Sequence, residues 1–332
     1  MPHPALRSHR DSNELVPLNE SFLWQAQRCL TSNSPVAARI LEVCAARTVE
    51  WATPAGLPDA VRFGDHIPLR VMAALHYLAL TRQSPELALY LPTLGGTASV
   101  CTPEFETAVL RTLRAHPETL TDFLSHPPQT NEPGRQAALH LALKACPAQR
   151  PLDLVELGCS AGINLVVAQD ESVTIATRRG CDLNPIDVHT VNGRARLSAY
   201  VWADDVNRFT ALGHAIEAMQ KQGIEIAHQD AAIFVQSLQP TPGHTLLIWT
   251  SAFAPYLNTE TSIRLSQAVS ELAHRMPTNS TLLQAEWEDA GDTTEPTQAF
   301  ALTLTTWHTD GARNTAILAR GSAHGAHITP VP

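Results

Sequence analysis

The sequence has no C-x-x-C pair. Its six cysteines (Cys29, Cys44, Cys101, Cys146, Cys159 and Cys181) are widely spaced, so neither a zinc ribbon nor a disulfide framework is indicated. A reducing, cytoplasmic setting is therefore expected. No H-E-x-x-H or comparable ligand spacing occurs among the 15 histidines, and no metal is expected. No stretch approaches the roughly 18 apolar residues of a membrane span. The opening MPHPALRSHRDSNELVP also lacks an apolar secretory segment, which excludes a membrane partner at this level. Basic residues form no stripe: 23 Lys and Arg against 32 Asp and Glu leave a formal net charge of −9, a poor match to a nucleic acid phosphate surface. A small-molecule substrate is the expectation that survives. Biased tracts and internal repeats are absent too, and nothing in the composition speaks to oligomeric state.

What is present is a globular composition, with 44% hydrophobic and 17% charged residues over 332 positions. That length suits one large domain, or a Rossmann-sized domain with a helical extension. Up to about residue 150 the apolar spacing is helical. Phe22, Leu23, Ala26 and Leu30 make one stripe and Leu69, Met72, Leu75 and Leu78 another, with no convincing strand. Ser34-Pro35 and Thr102-Pro103 read as N-caps followed by proline, and Pro147 ends a helix over residues 137–145. Residues 1–150 are thus expected to form a helical lid domain, and residues 151–332 a Rossmann-type α/β domain.

The pattern changes at LDLVEL, residues 152–157, a short apolar run ending in an acid and a glycine, as a buried parallel strand does. A helix is expected from about Gly162. Further strands are expected over residues 173–177, 224–228, 246–250, 282–286, 300–307 and 315–320, mostly separated by helices. One such helix carries Ile263, Ala268, Val269, Leu272 and Met276 along one face, with Asn258 or Thr259 as its cap. The pattern predicts a mainly parallel seven-stranded sheet covered on both faces. Its last two strands are joined through Asp310-Gly311 as an antiparallel hairpin.

The strongest chemical signal is VELGCSAGINL, residues 155–165, at the first strand-to-helix turn. A nicotinamide fingerprint would need G-x-G-x-x-G, but Gly158, Ser160 and Ile163 stand at those places. Read as G-x-S-x-G, the same loop makes Ser160 a hydrolase nucleophile, with Asp230 and His324 as partners. About 150 preceding residues of helical pattern and no H-G-G-G give that reading the wrong context. The third reading is the cofactor loop of a class I methyltransferase fold, where S-adenosylmethionine has no pyrophosphate and the demand for three glycines relaxes. Its ribose diol wants a carboxylate, supplied by Asp182 in GCDLNP, and its adenine a polar partner, supplied by Asp230 in HQDA. Glu156, Asp182 and Asp230 then stand at three successive strand ends. Each acid has a plainer alternative as a helix N-cap or a solvated loop residue.

The segments QTNEPGRQAAL (129–139), VELGCSAGINL, RRGCDLNPID (178–187), Val201-Trp202-Ala203-Asp204 and His324-Gly325 resemble a bacterial family catalogued as a domain of unknown function. That family carries a class I, methyltransferase-like Rossmann fold. The chain also resembles the azetidine-2-carboxylate synthases, which cyclise S-adenosylmethionine on the same fold. The loop departs from the commoner pattern at Cys159 and Ile163, and the insertion between the first two strands is short. The resemblance implies S-adenosylmethionine as methyl donor or as the substrate itself, with Gly158, Ser160, Gly162, Glu156, Asp182 and Asp230 around it. It also implies that Arg135 grips the methionine carboxylate while Asn131 or Glu132 handles the amine. The plainer role of these three is to cap the helix that begins near Pro133. Tyr256 joins Asn131 and Glu132 as a candidate for the chemistry, and Trp24, Tyr77 and Trp202 join Tyr256 as candidates to face the sulfonium. The expected reaction is methyl transfer to a small molecule; cyclisation to azetidine-2-carboxylate with release of methylthioadenosine, hydrolysis through Ser160, and an inactive cofactor-binding sensor are the alternatives.

Overall fold

The computed structural model describes residues 13–168, 173–293, 295 and 297–331. The chain divides into two compact units. One takes the described residues up to Thr130 together with His189–Gly213, and the other takes Asn131–Val188 and His214 onward.

The first unit is built mainly from the helices Leu18–Thr31, Pro35–Ala46, Ile67–Leu80, Pro103–Ala115, Pro117–Leu124 and Val191–Ala199. Phe22, Leu41, Trp51, Leu75, Phe105 and Phe123 fill its core. It also holds two short strands that the sequence reading did not expect, β1 (Leu15–Pro17) and β2 (Ala60–Arg62), paired antiparallel. At three residues each, neither is long enough to display a two-residue alternation. The first apolar stripe is displaced as well: Leu23 and Leu30 are exposed, while Leu18, Ser21, Phe22, Gln25, Ala26 and Cys29 face inward. Ser21 and Gln25 are accommodated because the Ser21 hydroxyl donates to the Leu18 carbonyl at 2.6 Å and the Gln25 amide to the Cys29 sulfur at 3.7 Å. Hydropathy alone does not register such local pairing.

The boundary expected near residue 150 falls instead at 130/131, and residues 189–213 belong with the helices. The reason is visible in the Val201-Trp202-Ala203-Asp204 segment. Asp204 accepts the Val36 N–H at 2.8 Å and so caps a helix whose own Ser34 makes no side-chain cap bond. His76 Nδ1 faces the Val201 carbonyl at 3.0 Å and its Nε2 the Thr93 hydroxyl at 2.9 Å, while the Thr93 N–H donates to the Ala203 carbonyl. Burial pushes the His76 pKa down to about 4, so the ring is a neutral structural link. Thr102 does cap as read, accepting the Phe105 N–H.

The second unit carries an eight-stranded sheet: β3 (Leu152–Leu157), β4 (Ile175–Asp182), β5 (Ile226–His228), β6 (Thr245–Ser251), β7 (Thr281–Asp289), β8 (Phe300–Trp307), β9 (Arg313–Gly321) and β10 (Thr329–Pro330). The spatial order is β10-β9-β8-β7-β6-β3-β4-β5. β3 to β7 are parallel and β8 to β10 antiparallel, with the β8–β9 hairpin turning through Asp310-Gly311. The fold is therefore mixed α/β with a mainly parallel sheet and antiparallel C-terminal strands. The eighth strand, two residues long, is an addition to the seven expected. All six β3 residues are buried, as a parallel strand covered on both faces requires.

Leu152, Leu154, Leu247, Trp249, Leu283 and Trp287 face one core with the helix Gln136–Lys144. Val155, Leu157, Leu246, Ile248 and Leu282 face the other, with Ala231–Ser237 and Thr259–His274. In the latter helix Ile263 points outward and the buried face is Leu265, Ala268, Val269, Leu272 and Ala273, with Asn258 as the N-cap. The helix expected from Gly162 is only a 3₁₀ turn, Ile163–Val166, because Val167 leaves in extended geometry toward β4. Among the described residues no helix is long and apolar enough to cross a membrane, and no cluster of His, Cys, Asp and Glu could hold a metal ion.

Candidate functional site

In an open α/β sheet the crevice for ligands lies beyond the C-terminal strand ends, where the strand order reverses. Here the reversal falls between β3 and β6. The loop after β3 runs through three left-handed residues, Gly158 (φ 64°), Ser160 (φ 53°) and Gly162 (φ 74°). Position 158 must be glycine, since a Cβ there would lie 2.3 Å from the Phe253 ring, which follows β6. Side chains hold the loop from both sides. Asp182, the last residue of β4, accepts the Ser160 N–H at 2.8 Å, and its other oxygen accepts the Asn184 N–H at 2.7 Å. Asn131 Oδ1 accepts the N–H groups of Ala161 (3.2 Å) and Ile163 (2.9 Å). The loop amides are thus satisfied by an amide side chain and a carboxylate, not gathered at a long helix N-terminus. Ser160 Oγ is buried and has no hydrogen-bond partner among the described residues.

Four acids stand at or just beyond the ends of the parallel strands, in two different states. Asp182 spends both oxygens on backbone donors, as above. Asp230, two residues past β5, caps the helix Ala231–Ser237: its Oδ1 accepts from Ala232 (3.0 Å), Ile233 (3.1 Å) and the Arg264 guanidinium (3.1 Å). Its plainer N-cap role is therefore real. Glu156, near the end of β3, accepts from Asn164 Nδ2 at 2.9 Å through Oε1, and Oε2 is buried without a partner among the described residues. Burial pushes its pKa up to about 8, against the Asn164 hydrogen bond and the nearby Arg135 charge. Glu288, at the end of β7, accepts the Phe253 N–H at 2.8 Å, and again Oε2 is buried with no partner among the described residues. Its pKa rises to about 7 through burial, opposed first by hydrogen bonds from the Phe253 and Ala254 amides.

The QTNE element reaches the same strand ends. Arg135 is buried; its Nε donates to the Ala323 carbonyl at 3.0 Å and its Nη1 to the Ser251 carbonyl at 3.4 Å. Glu132, also buried, accepts the Gly134 N–H at 3.4 Å and faces His324 Nδ1 at 3.6 Å. The close approach is possible because residue 134 is glycine: a Cβ there would meet the His324 carbonyl oxygen at 2.2 Å. Asn131, Glu132 and Arg135 thus brace the loop and the strand ends, and the capping role weighed for Glu132 is present.

Tyr256 ends the 3₁₀ turn Ala254–Tyr256 after β6 and is exposed. Trp24, Tyr77 and Trp202 all belong to the first unit, Trp24 against Phe63 and Tyr77 against Phe123. The Ser160, Asp230 and His324 arrangement of a hydrolase is not assembled, because Asp230 is held by its cap bonds and Arg264, and His324 faces Glu132. Sequence reasoning missed Glu288 and Phe253. The signal for Glu288 was present: acids at alternate positions 286 and 288 flank a buried Trp287 at the end of an apolar strand.

Among solved structures, the chain is similar to the sugar N-methyltransferase KedS8 from Streptoalloteichus sp ATCC 53650, at 11% identity and a TM-score of 0.24, covering 59% of this chain and 74% of that one. It is likewise similar to the CcbJ methyltransferase from Streptomyces caelestis, at 12% identity and a TM-score of 0.25, covering 58% and 74%. The fold assignment rests on the strand order and register. No curated protein matches at a significant level. The profile of the family described as "Uncharacterized protein conserved in bacteria (DUF2332)" matches residues 19–171 and 166–329, and the chain belongs to that family.

Proposed function

We propose that this protein binds S-adenosylmethionine in the crevice between β3 and β6 and transfers its methyl group to a small-molecule acceptor. One observation carries the reading: the Asp182 carboxylate, at the end of the strand next to β3, is hydrogen-bonded to the Ser160 amide of the β3 loop. In doubly wound sheets that acid position meets a ribose diol. Each carboxylate oxygen of Asp182 has a second lone pair for such a hydroxyl. The residues fit the group in a further respect, since the buried Ser160 Oγ and Glu156 Oε2 lack partners among the described residues, as groups awaiting a polar ligand do. Gly158 and Gly162 let the loop take its left-handed turns while packing against Phe253 and Ile226, and Asp230 Oδ2 remains for the adenine edge once Oδ1 has served the cap. When bound, the sulfonium supplies an electrophilic carbon; the chain's own residues orient it and receive the acceptor's proton. The net negative charge suits a small acceptor better than nucleic acid, and a cytoplasmic site of action fits the free cysteines, five of them buried and Cys101 exposed.

Calorimetric titration with S-adenosylmethionine is expected to show saturable binding by the wild type; none at millimolar ligand would overturn the proposal. Incubation with acceptor mixtures, read by mass spectrometry, is expected to yield S-adenosylhomocysteine only when an acceptor is present. Methylthioadenosine and a four-membered cyclic amino acid forming without acceptor would replace methyl transfer by intramolecular cyclisation.

A further inference from the structure

The turn after β6 needs an acceptor for its first amides, and Glu288 provides one oxygen for that purpose. Capping explains only that oxygen. A glutamine would serve the turn with a single oxygen, whereas the glutamate buries a second one that finds no partner among the described residues. Phe253, whose N–H donates this bond, lays its ring against Gly158, so the carboxyl is one residue removed from the loop assigned to S-adenosylmethionine. The charged groups acting on it are Glu286 on its own strand and Arg135 from the QTNE element.

We propose that Glu288 is the acceptor-side group of the crevice, its Oε2 receiving an N–H of an amine acceptor and taking the proton that nitrogen loses on methyl transfer. The inference rests on the methyl-transfer reading above. A buried carboxylate with an open oxygen attracts an ammonium and repels a carboxylate. It is too weak a base to ionise an alcohol, so amines are the class it selects. The step balances: the amine nitrogen forms a bond to the methyl carbon, the carbon–sulfur bond breaks with its electron pair passing to sulfur, and the nitrogen's proton passes to Glu288 and on to solvent.

The test uses full-length protein saturated with S-adenosylhomocysteine, which cannot react, and titrates propylamine, 2-aminoethanol and benzylamine against propanol and propionate. Wild type is expected to bind the amines at least tenfold more tightly than the alcohol or the acid. Glu288→Gln, which keeps an oxygen for the Phe253 amide, is expected to bind S-adenosylhomocysteine within threefold of wild type and to lose the amine preference. Equal binding of amines and propanol by wild type, or an unchanged preference in Glu288→Gln, would overturn the proposal while leaving the cofactor reading intact. No binding of S-adenosylhomocysteine by wild type would overturn both. Isotope-edited infrared spectroscopy of glutamate-labelled wild type needs no variant: at pH 6, propylamine is expected to convert one protonated glutamic carboxyl to carboxylate, and no change would count against Glu288.

Discussion

The acids at and just past the ends of β4 and β5 and the acids near the ends of β3 and β7 gather at the C-terminal edge of one sheet and differ in what their oxygens do. Asp182 and Asp230 are supplied with backbone donors and, for Asp230, an arginine. Glu156 and Glu288 each keep one buried oxygen without a partner among the described residues. Hydrogen bonds to the charged form of an acid favour ionisation, whereas burial without them opposes it. The first pair therefore serves loop architecture with spare lone pairs for a ligand. The second pair is raised toward neutrality and stores the site's sensitivity to pH.

The largest expected effect that separates the pairs is on stability against pH. Glu156 and Glu288, at about 8 and about 7, keep protons in the folded state that the unfolded chain has released by then. Stability therefore falls as pH rises toward 8, and beyond that the buried cysteines, whose thiols burial also raises, extend the fall. His76, lowered to about 4, works in the opposite sense only below its ordinary 6.5, so the window from pH 7 to 8 belongs mainly to the acids. Urea unfolding is expected to show a loss of about 1 kcal/mol across that window, most of it removed by Glu156→Gln. A flat or rising wild-type profile would break the comparison.

Next in size, Asp182→Ala is expected to weaken S-adenosylmethionine binding by about 1.5–3 kcal/mol in calorimetry, through the lost ribose acceptor and the loosened Ser160 amide. Arg264→Ala removes only an exposed partner of Asp230, and a cost of about 0–1 kcal/mol in urea unfolding is expected with the cap bonds intact. The smallest effect is Ser160→Ala. Its hydroxyl has no partner among the described residues to lose, so stability is expected to stay within about 0.5 kcal/mol and activity to fall only severalfold. Covalent labelling of Ser160 by a fluorophosphonate with complete loss of turnover in the alanine variant would instead make it a nucleophile.

Much of the sheet was legible because a parallel strand buried on both faces leaves a continuous apolar run. The β3 and β8 limits match the expectation residue for residue, and Asp182 stands at a strand end as expected, although its strand runs over Ile175–Asp182 and not residues 173–177. The helix after Gly162 was not legible, since its termination depends on how soon the chain must return to β4. Nor was the partnership of residues 189–213 with the helical unit, which is made by the Asp204 cap on Val36 across 168 positions.

By itself, then, the sequence determined where strands and helices alternate, because hydrophobic period and turn residues are local properties. It also placed Glu156, Gly158, Ser160, Gly162, Asp182 and Asp230 at or near strand ends. Only the tertiary structure decided which of those groups are spent and which are open. Asn131 became a brace for the loop amides, Asp230 a cap tied to Arg264, and Glu288 an acid with one oxygen unpartnered among the described residues. A carboxylate's chemistry is set by the donors and burial that fold around it, and those come from residues distant in the chain.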